Sequence, residues 1–85
     1  MNQDNKDEKT QLNITKDALA EQLGIESDDI VFDDSFIDDF HMRPTDFADF
    51  IEVLNSKNID TSKLDLPEIQ TFGDLVYALD IEDQL

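Results

Sequence analysis

Apolar residues recur at helical spacing in three stretches of this 85-residue chain. In the first, Leu12, Ala18, Leu19 and Leu23 recur close to the helical period, with Ile14 beside them, and Gly24 follows as a left-handed stop. In the second, Phe47, Phe50, Ile51 and Leu54 fall at i, i+3, i+4 and i+7, one face of a helix reaching about Lys57. Asp46, Asp49 and Glu52 lie off that stripe, and acids early in a helix suit the positive end of its dipole. This helix starts with Pro44 in its first turn or with Thr45 as its N-cap, and the sequence is compatible with both registers. In the third stretch Thr71 caps a helix carrying Phe72, Leu75, Val76 and Leu79 at the same spacing.

The segments between behave differently. Residues 25–40 fit neither strand alternation nor helical period, and their apolar residues are broken by Asp28-Asp29, Asp33-Asp34 and Asp38-Asp39. A loop of this length in so small a domain stays ordered only if Ile30, Phe36 and Phe40 plug the core. Residues 58–62 read as a connection and residues 63–67 as a short turn of helix at most. The expectation is an all-α fold: a small bundle of three to four helices with a long structured first loop. Residues 1–10 form a flexible polar tail, residues 11–80 the helical domain and residues 81–85 an acidic tail.

Charge changes the picture most. Twenty-two Asp and Glu against six Lys and Arg give a formal net charge of −16. Across residues 26–52, Arg43 is the only basic residue. Phosphate backbones and anionic membrane surfaces repel such a chain, so nucleic acid and membrane are poor partners and basic protein surfaces good ones. The absence of cysteine removes disulfides, thiol catalysis and thiolate zinc sites. With no signal-like start and no membrane-length apolar run, a soluble cytoplasmic monomer is expected. A lone His41 with no second histidine makes no metal site, and the acidic pairs lack the EF-hand spacing. No nucleophile–base pair or phosphate-binding glycine loop is present, so the chain does not read as an enzyme. Met42 and Phe40 are either core residues or the lining of an apolar slot.

Three blocks carry a family resemblance: Ala20-Glu21-Gln22-Leu23-Gly24-Ile25, Asp33-Asp34-Ser35-Phe36-Ile37-Asp38-Asp39-Phe40 and Thr71-Phe72-Gly73-Asp74-Leu75-Val76. In this order and spacing they resemble acyl carrier proteins from about residue 11 to 79. The resemblance implies the carrier-type bundle and a place in fatty acid or polyketide metabolism. In that family the first loop ends Asp-Leu-Gly-Xaa-Asp-Ser-Leu, and the serine carries 4′-phosphopantetheine. Here the run is Asp39-Phe40-His41-Met42-Arg43-Pro44-Thr45-Asp46, which sets Pro44 at the serine position and Arg43 at the preceding aspartate. Ser35 matches the family's structural serine before the phenylalanine.

Pro44 has no hydroxyl, so the attachment position is degenerate. Either Thr45, one residue later, accepts the arm, or Thr45 is a cap or first-turn residue and no cofactor is carried. The resemblance also implies that Asp39, Asp46, Asp49 and Glu52 dock on basic patches of a phosphopantetheinyl transferase or of acyl-handling enzymes. A rival reading from charge and size is an acidic inhibitor or DNA mimic that occupies a nucleic-acid-binding groove. A plainer one is a binding module with a single protein partner.

Overall fold

In the computed structural model, which describes residues 10–81, three α-helices and two 3₁₀ turns surround one apolar core. Helix α1 is Gln11–Leu23, α2 is Pro44–Ser56 and α3 is Phe72–Leu79, with 3₁₀ turns at Ser27–Asp29 and Leu66–Glu68. No strand occurs among the described residues; an isolated antiparallel bridge joins Ser35 to Thr71. The all-α bundle expected from the periodicity is the fold.

Each α-helix ends by the same device. A residue at positive φ follows it (Gly24 at 74°, Asn58 at 68°, Asp80 at 60°), and an isoleucine comes next. Ile25, Ile59 and Ile81 donate their backbone N–H groups to Ala20, Leu54 and Val76, at 3.0, 3.1 and 3.3 Å. These are the six-to-one bonds of the Schellman motif, which satisfies carbonyls the helix leaves orphaned and folds the next side chain back. Ile59 and Ile81 are buried in consequence, while Ile25 stays exposed. Ile81 therefore belongs to the core, although the sequence assigns it to the acidic tail. Residues 1–9 and 82–85 of the expected tails lie outside the described residues, and Thr10, also assigned to a tail, caps α1 by accepting from Asn13 N–H at 3.1 Å.

The apolar stripes face inward as their spacing requires. Leu12, Leu19, Phe50, Leu54, Phe72 and Leu75 are buried, with Ile14, Leu23, Phe47 and Ile51 packed at the margin. Thr15 is also fully buried, and its hydroxyl satisfies itself by donating to the Gln11 carbonyl at 2.8 Å.

The long first loop is ordered for two reasons. Ile30 and Phe36 enter the core, whereas Phe40 is only half-buried and leans on the Phe36 ring at 5.8 Å. The loop's carbonyls also serve α3: Phe72 N–H donates to Asp34 and Gly73 N–H to Phe32, both at 2.9 Å. The first N–H groups of a helix have no partner within it, so this loop acts as their cap. In return Phe36 N–H donates to the Gln70 carbonyl at 3.0 Å.

Candidate functional site

The resemblance directs attention to the junction of the first loop and α2. Residues 35–41 form a helical turn of their own. Ser35 Oγ accepts from Asp38 N–H at 3.0 Å, and the Asp39 carboxylate accepts from Ser35 N–H at 2.6 Å. The turn stops at His41, whose φ of 56° lies in the left-handed region, and His41 N–H donates to the Ile37 carbonyl at 3.1 Å. The chain then turns Met42 into the core, with its N–H donating to Phe36 at 2.8 Å.

Helix α2 starts with Pro44 at its first position. The pyrrolidine ring presets φ, and its missing N–H is one the helix end leaves unpaired anyway. Arg43 is extended at φ −86°, ψ 164°, the conformation a residue before proline favours. The two registers left open by the sequence are thus resolved: Thr45 is a first-turn residue and not the N-cap, and it is exposed. Asp46 reaches back to the helix start. It accepts from Arg43 N–H at 3.0 Å, from Nε at 3.2 Å and from Nη2 at 3.4 Å. The backbone bond, then the guanidinium, hold its carboxyl below the usual aspartate range, and the same contact raises Arg43. Gln22 Nε2 donates to the Asp46 carbonyl at 3.0 Å and ties the end of α1 to this turn.

At about 100° per residue, Asp46, Asp49 and Glu52 form a band on the side of α2 away from its apolar stripe. Asp49 and Glu52 are exposed, and Asp46, at the edge of the band, is half-buried. Asp39 is not part of this band. It lines a separate recess with Asp29, Asp34, Phe40 and His41, where the acids do not converge into a metal-binding set of three.

An apolar slot, raised in the sequence only at Met42 and Phe40, lies beside Pro44. A cleft of about 550 Å³ opens between the turn at residues 35–42, the start of α2 and the 3₁₀ turn Leu66–Glu68. Phe36, Met42, Phe47 and Ile69 are among its apolar lining, with the Phe36 and Phe47 ring centroids 4.7 Å apart. Of the two slot candidates, Met42 lines this cleft and Phe40 lines the other recess. The only sequence signal for the far wall was that Leu66 and Ile69 are apolar within a connection.

An acyl carrier protein of Chlamydia caviae is 31% identical to this chain over 62 residues, 72% of this chain and 80% of the relative. The chain belongs to the acyl carrier protein family. No family model matches it, and no solved structure does. Within the family's loop motif, His41 stands where the glycine is expected and keeps a glycine-like positive φ. Pro44, at the serine position, offers no hydroxyl, so a phosphopantetheine arm does not fit there. Among the described residues no helix is long and apolar enough to cross a membrane.

Proposed function

We propose that this chain is an acyl-carrier-like module that docks on basic surfaces of partner proteins through the acidic side of α2, without a phosphopantetheine arm on a serine. The observation that carries the reading is Pro44 at the first position of α2, with Arg43 before it engaged by Asp46. A family member without the serine hydroxyl retains the fold and its acidic surface but not the covalent chemistry. Asp49 and Glu52 are free to meet solvent or a partner, and Asp46 contributes while paired with Arg43. Asp39, spent on the Ser35 N–H, supports docking mainly through its charge. Expected partners are acyl-handling enzymes or other proteins with basic patches, in the cytoplasm. No catalysis is assigned to the chain itself.

A second reading has its own support: Thr45 is exposed in the first turn, one residue from the attachment position. On that reading the chain carries 4′-phosphopantetheine on a secondary alcohol. Intact mass after incubation with coenzyme A and a broad-specificity phosphopantetheinyl transferase separates the two. The wild type is expected at its unmodified mass, while the combined change Arg43→Asp, Pro44→Ser and Thr45→Leu gains the arm. A modified wild type, with modification abolished by Thr45→Val, would overturn the arm-less reading.

A further inference from the structure

We propose that the exposed aromatic face formed by Tyr77 of α3 with Val31 and Phe32 of the first loop is a second docking surface, one that takes an arginine side chain from a partner protein. It is separate from the acidic side of α2 and from both clefts, and it does not depend on whether the chain carries an arm.

Tyr77 is 77% exposed, Val31 52% and Phe32 39%. Phe32 rests on the start of α3: a Cβ on Gly73 would stand 3.1 Å from its carbonyl oxygen and 3.2 Å from its own Cβ. Tyr77 lies one turn further along the helix and, at about 100° per residue, projects within about 40° of residue 73. A helical side chain leans toward the N-terminus of its helix, so the Tyr77 side chain is directed back over the Gly73 turn, on the side where Phe32 lies. Residue 73 has no side chain to fill the space between them. The Phe32 ring meets that of Phe72 at 6.0 Å, whereas Tyr77 has no ring partner among the described residues.

The charges on this same face decide the occupant. Asp74 stands three residues before Tyr77 and Asp80 three after, so the helical repeat sets them about 60° to either side of it. Asp80 is kept in the last turn by its N–H bond to the Tyr77 carbonyl at 3.0 Å. Asp33 follows Phe32 directly, and all three acids are exposed. Among the described residues no lysine or arginine pairs with any of them. A cation over an aromatic face is attracted by the ring's quadrupole. A guanidinium also stacks flat on the ring while its edge donates to carboxylates, which the compact ammonium of lysine does not do. The methylenes of the same side chain would cover Val31 and Phe32. Nucleic acid and anionic lipid are repelled by these acids. A second copy of this chain does not serve, because Arg43 is its only arginine and is held by Asp46.

The test uses the full chain and two short Gly/Ser peptides of equal charge, one bearing arginines and the other lysines at the same places. Tyr77 is the only tyrosine and the chain has no tryptophan, so intrinsic fluorescence reports on this face alone. The arginine peptide is expected to change that fluorescence, to shift the NMR signals of Phe32, Gly73 and Tyr77, and to bind about twofold or more tighter than the lysine peptide. Tyr77→Leu should lower the arginine peptide's affinity about two- to fivefold, as loss of an exposed cation–π contact dictates. Its melting curve should stay in place because the side chain is exposed, and Tyr77→Phe should keep the affinity. Asp49→Asn with Glu52→Gln should weaken both peptides alike and leave the preference for arginine intact. Undetectable binding, equal binding of the two peptides, or signals that shift only along α2 would overturn the second surface. So would a Tyr77→Leu variant that binds like wild type, or a Tyr77→Phe variant that loses the preference. The transferase mass measurement tests the α2 reading by itself, and neither result alters the other.

Discussion

The Gly73 amide donates to the Phe32 carbonyl at 2.9 Å, and a Cβ on Gly73 would stand 3.1 Å from that oxygen and 3.2 Å from Phe32 Cβ. The loop carbonyl approaches the start of α3 this closely because residue 73 has no side chain. Alanine would otherwise favour a helix by about 0.5–1 kcal/mol over glycine. Here the loop cannot retreat freely, because the Phe72–Asp34 and Phe36–Gln70 bonds hold it within four residues of that carbonyl. Gly73→Ala is expected to reverse that sign and lose about 1 kcal/mol, with faster amide exchange at residue 73. A more stable variant in chemical denaturation would show that the loop yields.

Phe36 is the side chain that fastens the same loop to the core. It is 3% exposed and meets the rings of Phe40 and Phe47. Phe36→Ala should cost roughly 3–5 kcal/mol in equilibrium unfolding. A loss below about 1 kcal/mol would mean that the loop is not anchored through this ring.

His41 holds a left-handed conformation without being glycine. For a residue with a Cβ that costs about 1–2 kcal/mol, offset in part by the greater freedom of glycine in the unfolded chain. His41→Gly is therefore expected to raise stability by roughly 0.5–1 kcal/mol, and His41→Val to lower it. Denaturant midpoints of the pair decide; a glycine variant weaker than wild type would show that the imidazole makes a contact worth more than the strain.

Asp74 accepts from Gln70 N–H at 3.0 Å and from Thr71 N–H at 3.2 Å, and these backbone bonds, Gln70's first, hold its carboxyl below the ordinary aspartate range. A lowered folded-state pKa means stability that is present above the unfolded value and lost as pH falls through the folded one. Protonation of the many other acids acts in the opposite sense by relieving repulsion, so the absolute melting curve mixes the two. The difference isolates the cap: Asp74→Asn should melt below wild type at pH about 6, with the gap closing as pH drops below about 4. A gap that does not change with pH would dismiss the charged cap.

On the acidic side of α2, Asp49 and Glu52 are exposed and Asp46 is paired with Arg43. Asp49→Asn with Glu52→Gln should slow association with a basic partner and flatten its salt dependence while barely altering folding. Adding Asp46→Asn should also lower stability, because it weakens the charged acceptor at the start of α2. Association rates indifferent to the first pair would place the interface elsewhere.

Three helices were legible in the sequence because each repeats its apolar residues at 3.6-residue spacing, and Gly24 and Thr71 are strong local signals for an end and a start. That Pro44 has no hydroxyl is likewise plain from the sequence, since it is a matter of covalent chemistry and needs no fold. Other features depended on long-range pairing. Asn58 and Asp80 take positive φ as glycine does, but their identity alone does not announce it, so the burial of Ile59 and Ile81 was hidden. The register of α2 turned on Asp46 folding back to Arg43, and the loop's order on carbonyls that serve a helix some forty residues away. The cleft is the clearest case: Phe36, Phe47 and Ile69 are spread along the chain, and only packing of the loop and the last connection against α2 makes them one surface. Local periodicity dictates which face of each helix shuns water; the orphaned N–H groups and unfilled apolar surface left at the helix ends decide what comes to meet them.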